Sequence, residues 1–333
     1  MSHPPQDAID AAALIGLPHP ESIDSISSNG RSRAWRVVCG GAAWMIKRFD
    51  AGELERGRAE AVILAHLWEE SGSAYEVPEV FLGAGGRAFA LDGEGGLTLA
   101  TRWCAGEKRT WRALGARQWA GLGGALGALH ARLRALDPEG AGLRLERLGS
   151  RRASGIAQAS EDIEAQARSV AASGRAPEGA AGYFEDRQGL LLECAQGWVW
   201  PEGSGQIVHN DFNQHNFLFA GEDLERIVVL DWERAAVAPA EFEVVRCLNL
   251  LPLVDPAGAG AFLGAYLDAA PLDRGLLGAM VDVCLIDHAI KHWPTLAWIE
   301  GQAWAEAHFE EHFEIVRILR RGRGALRRFF EGA

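Results

Sequence analysis

The sequence predicts an α+β fold in two lobes: a small N-terminal lobe with an antiparallel sheet and one helix, and a larger, mainly helical C-terminal lobe. Three observations carry this expectation. Residues 34–49 read as a strand, a glycine turn and a returning strand, the pattern of an antiparallel hairpin. Apolar residues recur at helical spacing from Trp119 to Leu136, and the C-terminal stretch carries further helical patterns. Between these regions, short apolar runs bracket a tight polar loop, IVHNDFNQHNFLF, followed by IVVLDWE. At 333 residues the chain is long enough to bury a substantial core and to divide into two lobes.

In chain order, Ser27 to Ser32 is a polar turn cluster, where backbone N–H groups around Ser28, Asn29 and Gly30 can cradle a phosphate. Ala34 to Val38 is a strand, Cys39-Gly40-Gly41 a hairpin turn, and Ala43 to Phe49 the returning strand that carries Lys47. From Gly52 to Glu69, apolar Ala61, Leu64, Ala65 and Trp68 fall at helical spacing, with Glu60 near the middle. Val77 to Phe81, Ala88 to Leu91 and Leu97 to Ala100 read as strands, the last ending at Arg102-Trp103-Cys104. The helix from Trp119 to Leu136 sets Leu122, Leu126, Leu129, His130 and Leu133 on one stripe and ends near Asp137-Pro138. His130 on that apolar stripe reads as a structural histidine. Two more helices follow, Glu161 to Ala171 and Gly182 to Cys194, with Gly174 to Gly182 as the mobile loop between them.

The central loop carries the chemistry. Ile207 and Val208 enter it as a strand, Phe217 to Phe219 leave it as a second, and Ile227 to Leu230 form a third, fully buried strand after the turn at 221–223. Asp211 stands five residues before Asn216, and Asp231 twenty residues after Asp211. Phosphoryl transfer asks the protein for a carboxylate to take the hydroxyl proton and for oxygen ligands that hold Mg²⁺ on the nucleotide phosphates. An Asp and an Asn bracketing a tight loop, with another Asp at the end of the next strand, supply those groups.

On these residues, His209-Asn210-Asp211, Asn216 and Asp231-Trp232-Glu233, the chain resembles the aminoglycoside phosphotransferase and choline kinase superfamily, small-molecule kinases with a protein-kinase-like fold. The resemblance implies Asp211 as catalytic base, Asn216 and Asp231 as Mg²⁺ ligands, and His209 and Glu233 in supporting places. It matches Lys47 and Glu60 to the family's strand-lysine and helix-glutamate pair, which grips the nucleotide phosphates. It also implies an N-lobe over residues 1–103, a C-lobe over 104–333, and adenine recognition by backbone groups of the segment that includes Trp103. Backbone recognition leaves ATP and GTP undistinguished. The segment after Asp231 is short and lacks the Ala-Pro-Glu signature with which protein kinases dock peptides, which favours a small-molecule acceptor.

Composition narrows the partners. With 48% hydrophobic and 23% charged residues the chain is an ordinary globular protein, and a net charge of −12 disfavours nucleic acid and anionic membrane while favouring cationic ligands. No apolar run is long enough to span a membrane, and the N-terminal residues lack the basic stretch of a secretory signal, so a cytoplasmic protein is expected. Five scattered cysteines with no CxxC fit reduced thiols and argue against structural zinc. The arginines from Arg317 to Arg328 read as the solvated side of a helix that packs Leu319, Leu326 and Phe330. Acids and aromatics in the C-terminal helices, Asp287 and Trp293 first among them, are candidates for binding an amine by ion pairing and cation–π contact. The expected activity is transfer of the ATP γ-phosphoryl group, with Mg²⁺, to a hydroxyl of a small polar or cationic metabolite of the choline, ethanolamine, homoserine or sugar kind. The alternatives are an antibiotic O-phosphotransferase, with the same catalytic residues and a different pocket, and a non-catalytic nucleotide-binding module. The sequence leaves the oligomeric state open.

Overall fold

Two consecutive glycines start the architecture. Gly40 and Gly41 take φ of +58° and +73°, the left-handed pair that closes a two-residue hairpin without splaying its strands. The strands they join, β2 (Ser32–Cys39) and β3 (Ala42–Phe49), pair antiparallel with Cys39 opposite Ala42. The structure, a computed structural model, describes residues 6–26, 32–72, 74–149, 155–196, 200, 205–221, 223 and 225–332. Its fold is α+β, as expected. The polar turn at Ser28, Asn29 and Gly30 lies outside the described residues.

The chain divides into two units, the first comprising Met1–Glu146, Gln206–Val237 and Gly264–Ala270. Its N-terminal sheet also contains β1 (Ser22–Ile26), β4 (Ala90–Leu91) and β5 (Leu97–Arg102), all antiparallel in the order β1-β2-β3-β5-β4. Strand side chains alternate between faces. Trp35, Val37, Trp44, Ile46 and Ala100 therefore share one face, where they pack against Ala8, Ala11, Ala12 and Ile15 of α1 (Gln6–Ile15). Lys47 and Phe49 point to the other face, which α2 (Leu54–Trp68) covers. That alternation directs Lys47 at α2.

Gly57 lets α2 approach so closely. A Cβ there would sit 2.6 Å from Phe49 Cδ2 and 2.8 Å from Leu97 Cδ2. Gly57→Ala should therefore destabilise the fold by about 1–3 kcal/mol, read by urea denaturation, although alanine is the better helix former by about 1 kcal/mol. A stabilised variant would show that this contact yields easily.

The rest of the first unit carries the loop. α3 (Ala116–Leu133) buries Leu122, Leu126, Leu129 and Leu133 on one stripe, and buried His130 shares a 2.7 Å hydrogen bond with the Tyr266 hydroxyl. Beyond α3 lies the two-residue β6 (Glu146–Arg147). β7 (Gln206–Val208) leads into the loop, and β8 (Phe217–Ala220) pairs antiparallel with β9 (Arg226–Val229) beyond it.

The second unit comprises Arg147–Gly205, Ala238–Leu263 and Pro271–Ala333. Its helices are α4 (Ile156–Ala172), α5 (Ala180–Ala195), α6 (Ala240–Leu248), α7 (Leu251–Val254), α9 (Arg274–Ala289), α10 (Trp293–Ile299) and α11 (Ala305–Glu331). The strands β6 and β10 (Ala236–Ala238) and the helix α8 (Pro256–Ala269) each run across the division of the chain. α9 packs against α5, α6 and α11 and buries an unbroken run from Met280 to Ile286, as expected of a helix apolar on most sides. Within the arginine-rich α11, Arg323 and Arg327 both pair with Asp282, and Arg320 pairs with Asp186 and Glu193. Leu319, Leu326 and Phe330 of the same helix are buried. No described helix is long and apolar enough to cross a membrane.

Three expectations need correction. Val77 to Phe81 is not a strand: Glu76 bonds with Ile227 and Val229 of β9, whereas Glu79 and Phe81 bond with Arg102 and Ala100 of β5, and Pro78 between them has no N–H to continue either ladder. The loop expected at Gly174 to Gly182 is shorter, since α5 starts at Ala180 directly after Gly179 turns at φ +85°. The strand expected from Ala88 to Leu91 is confined to Ala90–Leu91.

Candidate functional site

All of the loop residues, Lys47 and Glu60 belong to the first unit. β3 presents Lys47 to α2, where the Lys47 ammonium donates to Glu60 Oε1 at 2.9 Å and Oε2 at 3.1 Å. It also donates to Asp231 Oδ1 at 2.7 Å, and Glu233 Oε2 lies 3.9 Å away. Burial opposes the Lys47 charge, but the three carboxylates hold its ammonium above the usual lysine range. Burial pushes the Glu60 carboxyl up to about 7; Lys47 pulls it down, while Asp231 and Glu233 push it up. Glu233 is raised as well, first by burial, with Lys47 acting against it and Asp231 with it.

Asp231 follows β9 with φ +63°, ψ +69°, a left-handed conformation that is rare outside glycine and marks a constrained turn. Trp232, fully buried, anchors the single 3-10 turn Trp232–Arg234, and its ring lies 4.5 Å from that of His209. His209, also fully buried, accepts the Asp211 N–H at Nδ1 (3.3 Å), so its proton is on Nε2, which donates to the Leu230 carbonyl at 2.7 Å. One imidazole thus ties the start of the loop to the residue before Asp231.

The Asp211 carboxylate is held by amides. Oδ1 accepts from Asn213 Nδ2 at 2.9 Å and Oδ2 from Asn216 Nδ2 at 3.1 Å, while Arg234 NH1 stands 4.0 Å from Oδ2. Asn216 is also tied to the end of β9, since its backbone carbonyl accepts at 2.8 Å from the N–H of Leu230, the residue after that strand. Asn210, at φ +61°, donates its side-chain amide to the Arg234 carbonyl at 3.0 Å and links the two halves of the site again.

Carboxylate oxygens of Glu60, Asp231 and Glu233 all lie within 4.8 Å of one another, a grouping that can hold a cation. These carboxylate oxygens form a hard, all-oxygen donor set that suits Mg²⁺ better than zinc or copper.

Sequence reasoning missed Asn213 and Arg234. Asn213 had a signal, an Asn two residues after the Asp inside a tight loop, where its side chain can bond back to the chain. Arg234 had none, because only the turn after Asp231 brings it towards Asp211.

The segment between β5 and α3 is fixed at both ends. Trp103 N–H donates to the Ala43 carbonyl at 3.0 Å, and Glu107 exchanges backbone bonds with Phe219 of β8 at 2.8 and 3.0 Å. Gly106 allows that approach, since a Cβ there would meet Phe219 O at 2.9 Å. The Trp103 ring is 38% exposed, with Arg36 5.3 Å above it. Asp287 and Trp293 belong to the second unit. Asp287 is half-buried on α9, and Trp293 is half-exposed beside Trp304 and His308.

A profile described as "Phosphotransferase enzyme family" matches residues 22–277. No curated protein matches. Among solved structures, the chain is similar to an amicoumacin kinase in complex with AMP-PNP, Ca²⁺ and Ami, at 14% identity over 93% of this chain and 92% of that one, TM-score 0.64. It is similar to a spectinomycin phosphotransferase in complex with ADP and spectinomycin, at 14% identity over 94% and 97%, TM-score 0.63. It is also similar to a microcompartment-associated aminopropanol kinase, at 15% identity over 98% of each chain, TM-score 0.62.

Proposed function

This chain belongs to the phosphotransferase enzyme family, and on that premise we propose that it moves the γ-phosphoryl group of ATP to a hydroxyl of a small polar metabolite. The observation that carries the reading is Lys47, shared between Glu60 at 2.9 Å and Asp231 at 2.7 Å. Such a lysine is oriented by a buried acid and stands beside a metal-binding one, where nucleotide phosphates need both a cation and a metal.

In this reading Asp211 accepts the hydroxyl proton. Its two oxygens, held by Asn213 and Asn216, keep the carboxylate in one orientation for that proton. Lys47 leaves Asp231 to grip the phosphates and keeps Glu60 as its anchor. Asn216 and Asp231 would hold Mg²⁺, with Glu233 close to Asp231, and a bound ion would supply positive charge to the phosphate oxygens. Residues 1–103 serve as the nucleotide lobe and 104–333 as the catalytic and acceptor lobe, with backbone groups near Trp103 taking the adenine.

An antibiotic acceptor is the second reading, supported by the amicoumacin and spectinomycin kinases among the similar structures. An ATP-consumption screen across alcohol-bearing metabolites, aminoglycosides and spectinomycin, with GTP as alternative donor, separates the two. Turnover of metabolites with no response to antibiotics is the expected result. Metal-dependent ATP binding without turnover of any alcohol would leave a non-catalytic nucleotide-binding module.

A further inference from the structure

The longest described helix, α11, sorts its charges by direction. It packs on α5, α7, α9 and α10, with Phe309, Val316, Leu319 and Phe330 buried. The arginines on the inward flank are paired within the second unit, Arg320 with Asp186 and Glu193, and Arg323 and Arg327 with Asp282. The outward face is divided. Glu310, Glu311 and Glu314 are exposed along its first half, and Arg317, Arg321 and Arg328 along its second. Among the described residues, Glu310, Arg321 and Arg328 enter no ion pair, and the two halves are linked only locally, from Glu314 to Arg317.

The helix dipole does not account for this division. It draws acids to the first turn and bases to the last, where Glu306 and Arg328 stand. Glu310, Glu314, Arg317 and Arg321 lie well inside the 27 residues of α11, beyond its reach. Apolar surface accompanies the charges. Trp304, the residue before α11, is 51% exposed, and its ring lies 5.9 Å from that of Trp293 and 5.7 Å from that of His308. Ile318 between the halves and Phe329 at the far end are half-buried, and Ala307, Gly324 and Ala325 are exposed. Aromatic surface supplies affinity to a contact, while charges set its register and partner.

A partner of one sign, such as a nucleic acid or an anionic membrane, is attracted by one half of this face and repelled by the other. The pattern that matches both halves is the same face reversed. We propose that a second copy of this chain docks on α11, the two helices antiparallel about a twofold axis beside Ile318. Glu314 then faces the partner's Arg321, and Glu310 comes within a turn of the partner's Arg328. Ile318 meets its own copy, and the Trp304 end is covered by the partner's Ala325 and Phe329. The exposed glycine and alanines let the helix axes approach to about 8–10 Å. Each contact off the axis occurs twice, as in any isologous pair. The surface belongs to the second unit alone and is independent of the phosphotransferase reading.

Sedimentation equilibrium of the full-length protein is the test, and the wild type should be a dimer. Glu310→Arg with Glu314→Arg makes the face mostly basic, and Arg321→Glu with Arg328→Glu makes it mostly acidic. Each double variant should raise the dimer Kd about a hundredfold or more, since like charges then meet across the axis. Mixed in equal amounts, the two variants should associate again, which also shows that both are folded. A monomeric wild type, a dimer that survives either reversal, or folded variants that stay apart when mixed would overturn the assignment. Should a double variant not fold, salt decides on the wild type: 1 M sodium chloride, where the screening length is about 3 Å, should weaken the dimer about tenfold. A dimer indifferent to salt would be held by some other surface.

Discussion

Asp211→Asn should fold, bind ATP with magnesium as wild type does, and lose about 10²- to 10⁴-fold in kcat, the range that a positioned general base supplies. The geometry explains why binding and turnover should separate. Asp211 touches neither Lys47 nor Glu60; its oxygens are taken by Asn213 and Asn216. An amide in its place keeps the shape, but its own N–H group meets one of those donors and it cannot accept a proton. The structural cost is that of one mismatched hydrogen bond, about 1–3 kcal/mol. Single-turnover measurement of phosphoryl transfer alongside nucleotide titration gives both quantities. Turnover close to wild type would remove Asp211 from the chemistry and leave its amide-held geometry without a purpose.

The loop at Asp211 was legible because it depends on short spacing: an Asp, an amide and a strand-end acid within twenty-one residues, each on an element whose pattern could be read directly. Lys47 was legible for a different reason. Alternation on β3 fixes its face, and α2 follows at once with Glu60 at helical spacing from Leu64 and Leu67. What sequence did not reveal depends on contacts across the fold. Arg234 reaches Asp211 only because Asp231 adopts a left-handed turn, and nothing in the residue order specifies that φ. The buried Arg187 is bonded by Gln166 of α4, the Ala289 carbonyl of α9 and His292 just before α10, so no local window contains its partners. The helix α1 was overlooked although Ala8, Ala11, Ala12 and Ile15 carry the helical period, because its apolar side is mostly alanine and presents little hydrophobic contrast. Strand β1 shows no buried residue, and its alternation is correspondingly faint.

Lys47→Met should be damaging twice over. The lysine neutralises three carboxylates whose oxygens lie within 4.8 Å of one another, and Glu60 among them is 2% exposed. Removing the cation leaves a buried acid unpaired, which costs about 3–5 kcal/mol in a closed interior. The Asp231 side chain is 38% exposed and water screens part of the repulsion, so the loss should fall towards the lower end of that range. Urea denaturation measures it. Two further measurements identify its cause. Adding Glu60→Gln to Lys47→Met should recover much of the stability, because the neutral amide no longer needs a counter-ion. Magnesium should stabilise the single variant more than the wild type, since the cation then enters a cluster that lacks its lysine. For catalysis, kcat/KM for ATP should fall about a hundredfold, the loss of one charge-assisted contact to phosphate of about 3 kcal/mol. A Lys47→Met protein as stable as wild type would mean that the acids carry protons of their own, and Lys47 would then answer to the nucleotide alone.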